Sequence, residues 1–580
     1  MALLEIHERR GIDEPADLWQ PNLGPIEQEV CLAPLANLGE LAASDGKIAA
    51  QFATAITTEE AKSSGRDQEV FRVSRNSETY EANVESGLTL KDYKSITRPE
   101  DWDYLLGQAE TLQGKGVVFI NPTMEGGGVA MMRPPLVHLL KSLGVDARWY
   151  VMNGPGDPEA ANPFLFTKLM HNITQRRTPP DVHISEDGKA THQEWNAENS
   201  PVLEAQPPIQ NADYIIIDDP QPTPLIAGLK QANPSAKFVW RNHIDNDGEL
   251  MMDPTTPQGE VWQYLRDDCH VSQVDAAVFH PVEDFVPADI KEKTFFMPAT
   301  VEPHDDLNKP LEQAEINSGI EFINREIAIK NGELIAEGRL DDIQSLLDLN
   351  RRRITLVARF DESKGMDKAM ALGMRARQMM RETGLEDDEL PEVVIVGNGS
   401  VDDPSGIPMY EKMLENRRVN YNDDKEHVLV MRLKHNYAAM NALMRVSDIG
   451  MQTSEAEGCE TRITDWIEHG VPVVVSNRGG MPLQIVEGQS GHIIDFDQPD
   501  FDIESGAEFI NQLLTDPEKY ASMSASTREL GHKFNSREFT TTANATRWLR
   551  IFNALEAGDP ADKTWQVGQL VADSYQQKAA

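Results

Sequence analysis

The chain has 580 residues, with 54 lysines and arginines against 95 aspartates and glutamates, a formal net charge of −41 at pH 7. That balance argues against a nucleic-acid backbone or an anionic membrane surface as the main partner. Cys31, Cys269 and Cys459 stand far apart, which gives no disulfide framework and no CxxC site; without a basic leader or an apolar run near 18 residues, no membrane partner is expected and the cytoplasm is the expected location.

In chain order, residues 1–110 read as an N-terminal extension, either an appendage or a contact in a homodimer. Ala33–Ala43 has the spacing of a short helix. Gln68–Val84 alternates as a β-hairpin around Arg75, Asn76 and Ser77, and Pro99–Gln113 is helical with Trp102, Tyr104, Leu105 and Leu106 on its apolar side. An α/β series then fills residues 111–350. Lys115–Asn121 is a strand, and a loop ending in Gly126, Gly127 and Gly128 leads into a helix over Val129–Leu143. A glycine turn at a helix N-terminus exposes backbone N–H groups to an anionic ligand, although ordinary tight-turn geometry explains the glycines equally well. Thr178–Gln206, rich in Pro, Asp, Glu and Asn, reads as a long surface excursion. Strands over Asp213–Asp218 and Lys237–Arg241 deliver two polar clusters, Asp219 with Gln221, and Arg241 with His243 and Asp245. Ligands of open α/β sheets sit beyond such carboxyl ends.

A second α/β series occupies residues 351–545, and residues 546–580 read as a terminal helix or tail. Strands alternating with helices imply a doubly wound parallel sheet in each half, two Rossmann-like domains facing a cleft. Arg359 and Lys364 follow one strand, and a planar fork beside a mobile point charge suits a phosphate or diphosphate. Gly397 opens a turn after another strand. Glu457 and Asp465 lie eight residues apart, before and within a short helix over Thr461–His469, where they suit a polyol. Gly479 and Gly480 form a further candidate anion turn. His243 suits hydrogen bonding or proton transfer. No acid cluster has recognisable metal spacing, so no metal is expected.

These motifs in this order resemble the family-4 retaining glycosyltransferases of the GT-B fold. The second half carries Ala358-Arg359-Phe360-Asp361 with Lys364-Gly365, Glu457-Gly458 with Asp465, and Gly479-Gly480. Gly126-Gly127-Gly128-Val129-Ala130, Asp219-Pro220-Gln221, Arg241-Asn242-His243-Ile244-Asp245 and Met297-Pro298-Ala299-Thr300 narrow the likeness to glycosyl-transferring trehalose synthases and fungal-type trehalose phosphorylases, over about residues 100–545. The resemblance implies that Arg359 and Lys364 hold the donor phosphate, that Glu457 binds the donor sugar and that Gly126–Gly128 lies near the transferred glucose. It implies that His243, Asp245, Asp219, Gln221 and Arg241 line the acceptor side. Asp465 stands where the family usually has a second Glu that holds the nucleotide ribose. Glu460 matches the Glu-Gly-x-Glu pattern of the phosphorylases rather than the Glu-Gly-x-Gly of the synthases.

The implied function is retaining transfer of glucose from a nucleoside-diphosphate glucose to glucose, forming trehalose. The alternatives are trehalose phosphorylase, working with glucose 1-phosphate, a compatible-solute transferase with another acceptor, and a non-catalytic sugar-binding protein. The expected partners are sugars and sugar phosphates, with no cofactor required.

Overall fold

The computed structural model describes residues 70–124, 128–154, 162–398, 406–434, 436–532 and 536–558. The helix expected over 33–43, Gly126, Gly127 and the tail beyond residue 558 lie outside the described residues.

The chain opens with the hairpin β1 (Phe71–Arg75) and β2 (Ala82–Ser86), paired antiparallel with Val73 opposite Val84. Helix α1 (Pro99–Glu110), strand β3 (Gly116–Asn121), helix α2 (Gly128–Ser142) and strand β4 (Asp146–Val151) follow. Next come α3 (Pro163–Thr174), α4 (Glu186–Glu204), β5 (Tyr214–Asp218), α5 (Ile226–Ala232), β6 (Lys237–Arg241), β7 (Ala276–Phe279) and β8 (Thr294–Phe296). The second series runs α6 (Gln313–Ala336), β9 (Arg353–Val357), α7 (Met366–Glu382), β10 (Glu392–Asn398), α8 (Gly406–Asn420), β11 (Val428–Leu433), α9 (Tyr437–Val446), β12 (Ile449–Gln452) and α10 (Thr461–Glu468). It closes with β13 (Val473–Ser476), β14 (Gly491–Ile494), α11 (Ile503–Thr515), α12 (Pro517–Leu530) and α13 (Thr541–Ala557).

Two six-stranded sheets result, ordered β4-β3-β5-β6-β7-β8 and β11-β10-β9-β12-β13-β14, and every pairing in both is parallel. Strands buried on both faces read as continuous apolar runs rather than alternating ones. Thus Tyr214–Asp218 and Arg353–Val357 are buried at every position. Each sheet is covered on both faces by its own apolar clusters. The hairpin leans on the edge strand β4 through a backbone bond from Val151 N–H to the Tyr80 carbonyl, which blunts an edge that would otherwise be open. Strand order reverses between β3 and β5 in the first sheet and between β9 and β12 in the second. Ligand sites in doubly wound folds form outside the carboxyl ends at such reversals.

Two segments cross to the other half: α6, read within residues 111–350, packs on the second half, and α13, which runs into the terminal helix read from residue 546, packs on the first. In α6, Ile320, Ile323 and Ile327 bury themselves with Ala442 and Leu443 of the second half. In α13, Trp548, Leu549 and Phe552 join Phe119, Leu136 and Trp149 of the first. The chain crosses between the halves twice, and the crossings touch: Val301 N–H bonds the Phe539 carbonyl at 2.8 Å and Thr541 N–H bonds the Val301 carbonyl at 3.0 Å.

The surface excursion expected at 178–206 is a correction. Most of it is α4, which buries His192, Trp195, Asn196, Asn199 and Leu203. Its inward face is largely polar, and Pro201 sits inside the helix. The helical signal is therefore weak in the apolar pattern, while His192 is satisfied by Tyr264 Oη at 2.9 Å and the Gln221 carbonyl at 2.8 Å.

Trp548 is 1% exposed within the first core. Trp548→Ala is expected to lower unfolding free energy by about 3–5 kcal/mol through lost burial and a residual cavity. Urea denaturation of the first half's signal measures it, and a loss below about 1 kcal/mol would show that α13 is not part of that core.

Candidate active site

At the second sheet's reversal, β9 runs into a loop carrying Arg359, Asp361 and Lys364. Asp361 starts a turn of 3₁₀ helix by accepting the Ser363 N–H at 2.8 Å. Gly365 follows at φ +57°, and a Cβ there would meet the Thr453 carbonyl at 2.0 Å, so only glycine lets the β9 and β12 loops touch. Arg359 is half-buried. Lys364 is 8% exposed, and its ammonium is shared by two carboxylates, Glu457 and Glu460, the latter at 2.5 Å. Burial pulls the Lys364 pKa down, yet the two acids raise it above its ordinary value overall. The acids are pushed apart. Burial raises Glu457, whereas attraction to Lys364 outweighs burial at Glu460 and pulls it below the usual carboxylate range.

Glu460 is held from several sides. Its backbone exchanges two hydrogen bonds with the Gln484 amide, both 2.9 Å. Its carboxylate also accepts the Arg462 N–H at 3.2 Å and so caps α10. The start of α10 looks across the cleft at the start of α2, where a Cβ on Gly128 would lie 3.8 Å from the Thr461 side chain.

The first sheet contributes a buried relay. Asp218, at the end of β5, is paired with Arg133 of α2 and lies 3.2 Å from His243 Nε2. Arg133 in turn lies over the Phe119 ring at 4.1 Å. Asp219 adopts φ +64° and accepts the His243 backbone N–H at 3.0 Å. Burial, then the charges of Arg241 and Arg133, hold His243 well below its ordinary pKa, so the ring is neutral at pH 7.

The halves meet around the Glu457–Gly458 turn. Glu457 N–H donates to Asp245 at 3.2 Å. A Cβ on Gly458 would meet the His280 ring at 2.3 Å and the His243 carbonyl at 2.7 Å. Gly479, at φ +52°, presses on the Glu457 carbonyl, and Gly480 N–H bonds the Gly458 carbonyl at 2.8 Å. Two ion pairs bridge the cleft, Lys168 of α3 to Asp361 and Arg177 to Glu455.

The fold thus gathers Arg359, Lys364, Glu457, Gly458, His243, Asp245, Asp219 and Gly128 around one cleft. Several residues expected to face a ligand have structural partners in the structure. Arg241 is 1% exposed and donates to the Met297 carbonyl at 2.8 Å, which leaves it bracing the end of β6 rather than facing an acceptor. Gln221 is buried, with its carbonyl accepting from His192 and Asn196. Gly397 lies inside β10, where a Cβ would meet the Ala358 carbonyl at 1.7 Å, so it seats the Arg359 loop; residues 399–405 beyond it lie outside the described residues. Gly479 and Gly480 support the Glu457 turn in the same way. Asp465 is fully buried against Arg462 Nη1 at 2.8 Å, and burial pushes its carboxyl up to about 6. Sequence reasoning did not single out Arg133, Asp361, Lys168 or His280 for the site. Their partners are distant in sequence, and only the resemblance touched Asp361.

Among the described residues, Asp387, Glu426 and His427 form the one group with ligand atoms close enough to hold a metal. It lies at the amino end of β11, away from the cleft, with Arg377 and Arg381 on Asp387. No helix among them is long and apolar enough to cross a membrane.

Residues 119–287 match the family described as trehalose synthase, N-terminal domain, and residues 339–530 match glycosyl transferases group 1. The chain is 32% identical over 480 residues to trehalose phosphorylase from Pleurotus sajor-caju, covering 80% of this chain and 61% of that one. It is 30% identical over 466 residues to trehalose synthase from Pyrococcus horikoshii, covering 80% and 96%. Among solved structures, an α,α-trehalose 6-phosphate synthase from Burkholderia multivorans aligns at TM-score 0.53 with 14% identity, over 77% of this chain and all (100%) of that one. A sucrose-phosphate synthase from Thermosynechococcus elongatus aligns at 0.51 with 15% identity, over 77% and 100%. These two likenesses establish the shared GT-B fold.

Two outcomes follow from this geometry. Gly458→Ala is expected to fold normally but to keep the halves apart; solution scattering should show a larger radius of gyration and turnover should fall at least about tenfold. An unchanged radius and rate would remove Gly458 from the closure contact. Asp465 binds its proton up to about pH 6 in the folded chain, against an ordinary 3.8. The native state therefore holds the extra proton, and stability from this group is lost as pH rises from 4 to 7. In chemical denaturation, the stability of wild type relative to Asp465→Asn should fall by on the order of 2 kcal/mol between those pH values; a pH-independent difference would show that the carboxyl is not held protonated.

Proposed function

Because the chain belongs to the family of trehalose synthases and trehalose phosphorylases built on a group 1 glycosyltransferase domain, we propose that it moves a glucosyl group between trehalose and inorganic phosphate with retention of configuration, as a trehalose phosphorylase. The observation that carries this reading is the burial of Asp465 against Arg462. It stands at the position that family likeness assigns to a nucleotide ribose, and there its carboxylate is fully buried and ion-paired with Arg462. What the cleft does offer is Arg359 and Lys364, a cation pair suited to a small anion.

In this reading, Arg359 and Lys364 seat phosphate against the anomeric carbon of one glucose of trehalose. The glycosidic C–O bond breaks and a phosphate oxygen bonds the same carbon from the face that the leaving sugar vacates. The phosphate hydroxyl proton passes to the departing oxygen, giving glucose and α-glucose 1-phosphate. Glu457, its carboxyl raised by burial, hydrogen-bonds the hydroxyls of the transferred sugar. His243 stays neutral, with Nε2 facing Asp218, and this fixes the ring beside the reacting centre without adding charge. No metal or cofactor takes part, and the cytoplasm is the location the reading expects. Closure of the cleft supplies the dry, oriented environment in which such charge interactions strengthen.

A second reading, transfer from a nucleoside-diphosphate glucose to glucose, draws on the match along 96% of the Pyrococcus horikoshii trehalose synthase. The phosphorylases, by contrast, extend beyond the 61% of their length that this chain covers.

The test is a substrate panel followed by NMR: trehalose with phosphate, and glucose with glucose 1-phosphate or with UDP-, ADP- or GDP-glucose. The expected result is reversible turnover with phosphate and glucose 1-phosphate alone. Trehalose formed only from a nucleotide sugar would overturn the phosphorylase reading in favour of the second. Lys364→Ala is expected to lower kcat by about 10²–10³-fold, the usual loss when one charge-stabilising group is removed; near-normal kcat would take the ammonium out of the reaction.

A further inference from the structure

The position of Glu460 says more about substrate choice than the cation pair does. The start of an α-helix is a ready site for an anion, through its unpaired N–H groups and the positive end of its dipole. In this chain the start of α10 is already filled by an anion of its own, since the Glu460 carboxylate accepts the Arg462 N–H at 3.2 Å. The same carboxylate takes the Lys364 ammonium at 2.5 Å. Its place is not incidental: the Gln484 amide clamps the Glu460 backbone on both sides at 2.9 Å, and the residue is 7% exposed. One charged side chain therefore satisfies two features that would otherwise be offered to a ligand. Glu457 claims the same ammonium, so much of the positive charge at this end of the cleft is balanced before any substrate arrives.

We propose that Glu460 is a specificity-determining residue, a tethered anion standing where the second phosphoryl group of a nucleoside diphosphate would meet Lys364 and the start of α10, so that the site accepts one phosphate and rejects two. The assignment rests on the phosphorylase reading and deepens it. Two phosphoryl groups would have to displace a hydrogen-bonded carboxylate from a buried ammonium and then sit against like charge, whereas one phosphate can be met by Arg359 and the remaining valence of Lys364. The selection is thus repulsive in origin, a built-in penalty against the wrong donor in addition to contacts with the right one.

Two neutral variants test it in the 580-residue chain. Glu460→Gln keeps the shape and removes the charge. Glu460→Ser keeps a side-chain oxygen able to cap α10 and guards against misfolding of the first. For wild type and both variants, kcat/KM is measured for phosphorolysis of trehalose and for trehalose synthesis from UDP-, ADP- and GDP-glucose, and the affinity for UDP, ADP and GDP is read by calorimetry. The expected result is a rise of at least about tenfold in the ratio of nucleotide-sugar to phosphate kcat/KM, with tighter nucleoside diphosphate binding. If both activities change by the same factor and nucleotide affinity stays put while wild type remains a phosphorylase, the assignment of Glu460 falls and the phosphorylase reading stands. If wild type itself uses a nucleotide sugar and ignores phosphate, that reading falls and the assignment falls with it.

Discussion

A single ammonium buried between two carboxylates governs the site. Lys364 cannot satisfy Glu457 and Glu460 equally in a low-dielectric setting, so the acids divide into one held ionised and one raised toward its neutral form. The arrangement is possible because the fold delivers the residues from two loops at one sheet reversal: Lys364 follows β9, and both glutamates follow β12. The glycines around them serve the same end. Gly365, Gly397, Gly458, Gly479 and Gly480 each stand where a Cβ would strike backbone or a ring, so four chain segments can crowd about one charge.

The other half of the cleft uses a different strategy. Arg133, Asp218 and His243 form a buried chain whose terminal imidazole is kept neutral by burial first and by nearby guanidinium charge second. A buried charge cluster on one wall thus faces a neutral imidazole on the other. Ion pairs across the gap, from Lys168 and Arg177 to Asp361 and Glu455, keep the two walls in register. Such pairs bind the halves through contacts that water can replace, which suits a cleft that must open for each exchange of ligand.

Much of the fold was legible in the sequence because buried parallel strands leave unbroken apolar runs such as Tyr214–Ile217 and Val473–Val475, and the hairpin alternated. The helix Glu186–Glu204 was not, because its inward face carries His192, Asn196 and Asn199, whose burial is offset by hydrogen bonds and not by hydrophobicity. In the site, Arg359, Lys364, Glu457 and His243 could be picked out because strand ends are where chemistry collects. Arg241 and Gln221 were drawn in by the same rule, and Asp465 by its spacing from Glu457 and by the family likeness; the structure gives all three structural partners. No local pattern distinguishes a polar side chain that faces the cleft from one that turns back to brace it. The site roles of Lys168 and Arg133 were not legible because both act from helices, on partners 193 and 85 residues away.

The return of α13 to the first core has a consequence for how the chain is made. The second lobe, strands β9 to β14, is a continuous insert and can complete its own sheets and helices as it leaves the ribosome. The first lobe cannot: Trp548, Leu549 and Phe552 fill one face of a sheet whose strands were synthesised more than 250 residues earlier. Until α13 emerges, the N-terminal half therefore waits with the Phe119, Leu136 and Trp149 cluster incompletely covered, the kind of apolar surface that draws chaperones or aggregates. The order is the reverse of the usual one: the later lobe can finish first, and the earlier lobe is closed by a helix that emerges after it.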